Sequence, residues 1–292
     1  MSELNGKLEI KNSYLKINYQ SITKLLVLVI LLNIPNTLKA QNSDLEYGLI
    51  NIAVGSVIGG VGAIINKKNK KETNGRVIIK GLAQGALGGY LVFESKRLLN
   101  SVSENSNYNL IYPSKILNSA GNSIIENAAR DANFWTRWHI NFGFSRIEFS
   151  TDEKFKVKHR IMIFDFAYAT KYFIEKDFNF KKSIQLGTLV FNGEMKINGR
   201  TNANLITLSS SSDITTEVHE IIHTYQYEQL SGFNTYLNPL MEMVSSKSKL
   251  YNYYERIFYT DFNLYLFWGL GELQSDYYNS KFEKEAFRYS RR

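Results

Sequence analysis

Cysteine is absent from this 292-residue chain. That excludes disulfides, thiolate nucleophiles, thiolate zinc sites, iron–sulfur clusters and a lipidated N-terminal cysteine. Proline is nearly absent as well, with 3 residues, so long proline-rich linkers are excluded. Histidine is scarce: His139, His159, His219 and His223 are all there are. Any metal site must therefore draw on a few imidazoles and on Asp or Glu. Long charged blocks that would mark disorder are also lacking. Apolar residues make up 44% and charged residues 21%, the balance of a folded protein.

The net charge is +8, but it is unevenly placed. Five lysines and two glutamates lie within residues 1–40, and without them the charge falls to +5. No Arg-rich stripe interleaved with aromatics supports a nucleic-acid partner. Residues 25–34 (LLVLVILLNI) form a short apolar run after a lysine-bearing segment, and Leu38-Lys39-Ala40 offers a small residue at a cleavage point. This predicts a secretory leader over 1–40, with an uncleaved anchor as the alternative.

Residues 48–66 (GLINIAVGSVIGGVGAIIN) carry no charge, and a weaker apolar stretch, 77–93, follows a basic loop, Lys67–Lys71. Gly55 and Gly59 form a GxxxG step, and Gly81, Gly85 and Gly89 repeat at four-residue spacing. Small residues on one face let helices approach closely. The pattern predicts a glycine-rich helical hairpin over 41–99, read as transmembrane, with the basic loop cytoplasmic and later residues extracytoplasmic. A soluble packed hairpin is the alternative.

Residues 100–113 are polar and read as a linker. A helix is predicted over 114–131 with Ser114 as N-cap. From about 138 to 209 the pattern alternates and predicts a run of antiparallel strands. His139 and His159 fall in these strands, where a lone histidine is usually structural. Residues 233–268 are rich in Tyr, Phe and Leu and read as core, or as a surface resting at a membrane interface.

Residues 213–231 (DITTEVHEIIHTYQYEQLS) predict a helix capped by Asp213 and stopped near Gly232. His219 and His223 lie four apart, hence on one face and within reach of one ion. Two imidazoles suit Zn²⁺, and Glu220 sits where a carboxylate handles a proton without binding metal. A catalytic zinc needs a third protein ligand. No histidine lies downstream, so the ligand is expected to be a carboxylate: Glu285 in KFEKEAFRYS, or Glu272 or Asp276 in GLGELQSD.

At these residues the chain resembles the zincin metallopeptidases on their gluzincin side. HEIIHTYQ is similar to the H-E-x-x-H-x-x-Q form of small bacterial members, which carry a distal E-x-E-A segment like Glu283-Lys284-Glu285-Ala286. The resemblance covers roughly residues 200–292. It implies an α+β, zincin-like fold over 114–292, with an antiparallel or mixed sheet, the H-E-x-x-H helix and C-terminal helices. It implies His219, His223 and Glu285 as zinc ligands and Glu220 as general base. Glu272 is the rival ligand, because Glu272 to Asp276 resembles the E-x-x-S-D element of thermolysin-like enzymes without its preceding Asn. The strand at 204–209 is then expected to be an open edge that receives an extended peptide. Tyr225, Tyr277 and His139 are candidates for stabilising an oxyanion.

The expected function is zinc-dependent hydrolysis of peptides or proteins by an exported, membrane-associated enzyme of a bacterial periplasm or envelope. A non-catalytic zincin-like envelope binding or structural protein is the alternative. A membrane-active hairpin regulated by its C-terminal domain is a third.

Overall fold

The computed structural model describes residues 43–151, 154–272 and 280–291. The described residues fall within one compact unit. The predicted leader over 1–40 lies outside the described residues, as do Ser275, Asp276, Tyr277 and the side chain of Glu272.

Three helices come first. Helix α1 (Ser43–Ile65) has 23 residues, about 34 Å at 1.5 Å per residue. Asp44 and Glu46 lie in its first turn, where a negative charge is favourable. Helix α2 (Asn74–Asn105) starts at Thr73, whose side chain accepts a hydrogen bond from the Arg76 amide, and stops at Ser106 in the left-handed region at φ 51°. Helix α3 spans Ile111–Ala129. The glycines set how closely α1 and α2 cross. A Cβ at Gly85 would lie 2.1 Å from the Gly55 carbonyl, and one at Gly89 would lie 2.2 Å from the Asn51 carbonyl. No side chain fits there.

Among the described residues α1 alone is long and apolar enough to cross a bilayer, over Asp44–Ile65. Of that stretch 44% is buried inside the fold. Helix α2 carries Lys80, Gln84, Lys96 and Arg97 and does not meet the same standard.

The linker expected over 100–113 is instead helical. Helix α2 runs to Asn105, a short 3-10 turn occupies Tyr108–Leu110, and α3 begins at Ile111. Pro113 sits in the first turn of α3, where its missing N–H has no partner to lose. Ser114 is consequently inside the helix and buried, donating to the Ser95 carbonyl at 2.7 Å. One apolar core joins the N-terminal helices to the rest: Tyr47, Phe93, Leu99 and Ile111 pack with Val218, Ile222 and Tyr289. The hairpin is thus part of the same body as the helix bearing the histidines.

Two small sheets follow. The first is a meander, β1 (Arg137–Phe142), β2 (Ser145–Ser150) and β3 (Lys156–Met162), with β8 (Phe258–Tyr259) added in parallel to β3. Its polar face is turned inward. Arg146, Glu148, His139 and Asn141 are buried, while Ile147 and Val157 on the other face are exposed. Helix α4 (Ile163–Glu175) and a short strand, β4 (Asp177–Phe178), lead to α5 (Phe180–Leu186).

The second sheet has the order β4, β5 (Leu189–Asn192), β7 (Leu205–Leu208), β6 (Gly199–Asn202). Strands β5 and β7 are parallel, so the sheet is mixed rather than wholly antiparallel. Strand β7 immediately precedes the histidine helix but is paired on both sides, with β5 and β6. It is not the open edge expected at 204–209, because β6 folds back beside it. The edges are β4 and β6. All four residues of β7 are buried, while those of β6 are half-buried apart from the exposed Arg200.

Helix α6 (Ile214–Gln229) then crosses the unit. After a 3-10 stretch (Leu230–Leu237) come α7 (Asn238–Lys247), α8 (Lys249–Ile257), α9 (Asn263–Glu272) and α10 (Lys281–Ser290). The architecture is mixed α+β.

Candidate metal centre

Helix α6 begins as its sequence predicts. The Asp213 carboxylate accepts the Thr216 amide at 2.9 Å, and the apolar stripe Val218, Ile221, Ile222 and Tyr225 is buried in the core. Burying that stripe fixes the helix rotation. His219 and His223 are left on the neighbouring face, with their rings 4.7 Å apart. His219 packs against Phe287 at 4.5 Å between ring centroids.

Helix α10 supplies the acid. Ser280 caps it by accepting the Glu283 amide at 3.1 Å. Glu283 occupies the third helical position, and its carboxylate reaches both imidazoles. The separations are 3.1 Å between the two Nε2 atoms, 3.2 Å from His219 Nε2 to Glu283 Oε2, and 3.3 Å from His223 Nε2 to Glu283 Oε1. One ligand atom from each of the three side chains lies within 4.8 Å of the other two. Zinc bonds of about 2.0–2.1 Å place neighbouring ligand atoms of a tetrahedron about 3.3 Å apart. The three side chains are 12%, 10% and 7% exposed.

Gln226 sets the tautomer of His223. Its amide nitrogen donates to Glu285 Oε2 at 2.8 Å and to the Phe282 carbonyl at 2.9 Å. Its oxygen therefore faces His223, and Nδ1 donates to it at 2.8 Å. Nε2 is left with a lone pair aimed at the cluster. The pull of the acceptors for positive charge is visible at His223. Burial works against its charged form, but the bond to Glu283 and the nearby Glu220 carboxylate outweigh that and raise its pKa.

Glu285, the ligand implied by the resemblance, is not in this cluster. Residues two apart on a helix point to different faces, so the two acids of E-x-E cannot both meet one ion. Glu285 faces the N-terminal helices. It receives Lys96 Nζ at 2.8 Å, Asn51 Nδ2 at 2.6 Å and Gln226 Nε2 at 2.8 Å. Lys96 is fully enclosed, and burial lowers its pKa while Glu285 supports its charge. Glu285 thus holds the glutamine that holds His223.

Glu220 is 5% exposed and is gripped from β6. Thr201 Oγ1 donates to its Oε2 at 2.7 Å, and a Cβ at Gly199 would lie 2.7 Å from its Oε1. Glycine at 199 lets the edge strand pass directly beside this carboxylate. The other sequence candidates lie elsewhere. Tyr225 is buried in the core with its hydroxyl at Ser114, and burial raises its pKa. His139 sits beside Ser123 and Glu126, where burial and the Arg146 guanidinium lower its pKa to about 3. His159 is exposed and meets Ser145.

Glu283, Asn51, Lys96, Gly199 and Thr201 escaped the sequence reading. The Ser280-x-x-Glu283 spacing is a helix-start signature, and it would have put Glu283 in a first turn. Nothing local points to Asn51 or Lys96.

No family model, curated protein or solved structure matches this chain.

Proposed function

We propose that the chain is a zinc-dependent peptidase in which His219, His223 and Glu283 hold the ion and Glu220 is the general base. The observation that carries this is the convergence of two imidazole Nε2 atoms, 3.1 Å apart, on the Glu283 carboxylate, whose two oxygens lie 3.2 and 3.3 Å from them. Bound there, a zinc ion supplies a Lewis acid that polarises a carbonyl and acidifies water. The protein's own groups do the remaining work. Glu220 takes a proton at a carboxylate oxygen and passes it to the leaving amine. Thr201 orients that carboxylate, and Gln226 with Glu285 orients His223.

Peptides are favoured as substrate because the unpaired edge of β6 runs beside Glu220, where extended main chain can add by backbone hydrogen bonds. Export of the unit and its attachment to a membrane belong to the same proposal. Their support is the apolar run at 25–34, the length and apolarity of α1, and the exposed Leu45 and Leu49 on its outer side.

The test is Glu220→Gln in the full chain with zinc bound. Metal content is expected to stay at one ion per chain while cleavage of a peptide library falls about 10²–10⁴-fold. Cleavage at the wild-type rate would reject the assignment.

A further inference from the structure

The inward face of the meander leads to a second site, remote in chemistry from the metal cluster. Register places Arg137, Ser150 and Lys156 across one row, His139, Glu148 and Lys158 across the next, and Asn141, Arg146 and Arg160 across the third. In the third row the charges are matched. Arg146 bonds to Glu126 and Glu148, and Arg160 also reaches Glu148. Towards the first row they are not.

That end opens into a cavity of 670 Å³ between the sheet and helices α7 and α8. Arg130, Arg137, Lys156, Lys158, Arg160 and Arg256 line it. The carboxylates that line it are Glu148, Glu242 and Glu255. Arg160 is paired with Glu148 and Arg130 with Glu126, which leaves Arg137, Lys156, Lys158 and Arg256 facing Glu242 and Glu255. Glu242 and Glu255 stand on the helical wall rather than on the sheet.

Arg137 is the decisive residue. It is half-buried, yet its guanidinium has no hydrogen bond or ion pair among the described residues. Arg130 and then burial lower its pKa to about 10, against the opposing pull of Glu148 and Glu126. The buried ε N–H groups of Arg130 and Arg160 also find no acceptor. The opposite wall is aromatic, with Tyr251, Tyr254 and Phe258 stacked in sequence at 5.6 and 5.2 Å. Guanidinium forks match carboxylate and phosphate oxygens, and an aromatic wall suits the carbon skeleton that carries them.

We propose that this cavity binds a small organic polyanion whose phosphate or carboxylate groups lie against Arg137. The site is independent of the metal centre, so it stands or falls without the peptidase reading.

The experiment is calorimetric titration of the full chain, in 150 mM NaCl, with pyrophosphate and separately with citrate. Saturable binding of one molecule per chain is expected for at least one probe, and which one binds distinguishes phosphate from carboxylate. Arg137→Gln should weaken it at least tenfold, and Arg137→Lys should recover part of the loss. Lys171→Gln, on a distant helix, and Glu220→Gln should bind as wild type. Should Arg137→Gln not fold, the exposed pair Lys156→Gln with Lys158→Gln is expected to lower affinity several-fold. Heats that never saturate, or an affinity indifferent to these substitutions, would mean an adventitious ion only and would overturn the proposal.

Discussion

Among the described residues, two buried clusters of charged side chains are balanced in opposite ways. Beneath the meander, Arg146 lies between Glu126 and Glu148, so each buried charge meets its opposite. Burial by itself would raise the pKa values of both acids, but Arg146, with its neighbouring cations, holds them well below the usual carboxylate range. At the other cluster two imidazoles and the Glu283 carboxylate bring their ligand atoms within 4.8 Å of one another. In the first arrangement each carboxylate has a guanidinium beside it. In the second, a metal ion would supply the positive charge on the function proposed above. Buried charge therefore says little about function until the signs are counted.

The largest test of this contrast is Arg146→Met. Removing it leaves Glu126 only Arg130 and Glu148 only Arg160, and a loss of about 3–5 kcal/mol is expected in urea denaturation, with zinc affinity unchanged. A loss under 1 kcal/mol would mean that the meander is not held by this network. Next come the two acids of α10. Glu285→Gln should weaken zinc binding about 10–100-fold, the usual cost of losing an outer support, and Glu283→Gln should weaken it more. Competition with a chelating dye measures both. The reverse order would make Glu285 the ligand and undo the contrast.

The smallest effect concerns a third buried group, Asp165 with Asp261. Tyr227 donates to both, at 3.2 and 3.1 Å, and Asn204 donates to Asp165 at 2.9 Å. Burial first, and then the charge of Asp261, raise the pKa of Asp165; burial also raises that of Asp261. An acid whose pKa rises on folding contributes stability below its unfolded pKa of about 4 and loses it as pH climbs towards the folded value. Stability should accordingly fall with rising pH above about 4, by at most about 1.4 kcal/mol per unit for one proton. Asp261→Asn should flatten that slope, and an unchanged slope in pH-dependent denaturation would place the titration elsewhere. The Glu126 and Glu148 carboxylates act in the opposite sense, losing stability only as pH falls through their low pKa values.

What was legible in the sequence was local. Asp213 capping, the buried stripe from Val218 to Tyr225 and the i, i+4 histidines all depend on residues within one helix of 16 residues. The close crossing of α1 and α2 was legible for the same reason, since glycine spacing reports on one helix face. The linker at 100–113 was misread because polarity resembles a loop whether or not a helix continues through it. The strand meander showed its alternation, but not which face would be covered; here helix α3 and its Glu126 draw the charged face inward.

The chain by itself determined that two imidazoles share a helix face with a carboxylate beside them, because 3.6 residues per turn leaves no other arrangement. Only the tertiary structure decided that Glu283 joins them while Glu285 turns to Lys96. That choice depends on how α10, some sixty residues later, is rotated against α6, and the rotation is set by packing of Ala286 and Tyr289 into a core shared with the N-terminal helices.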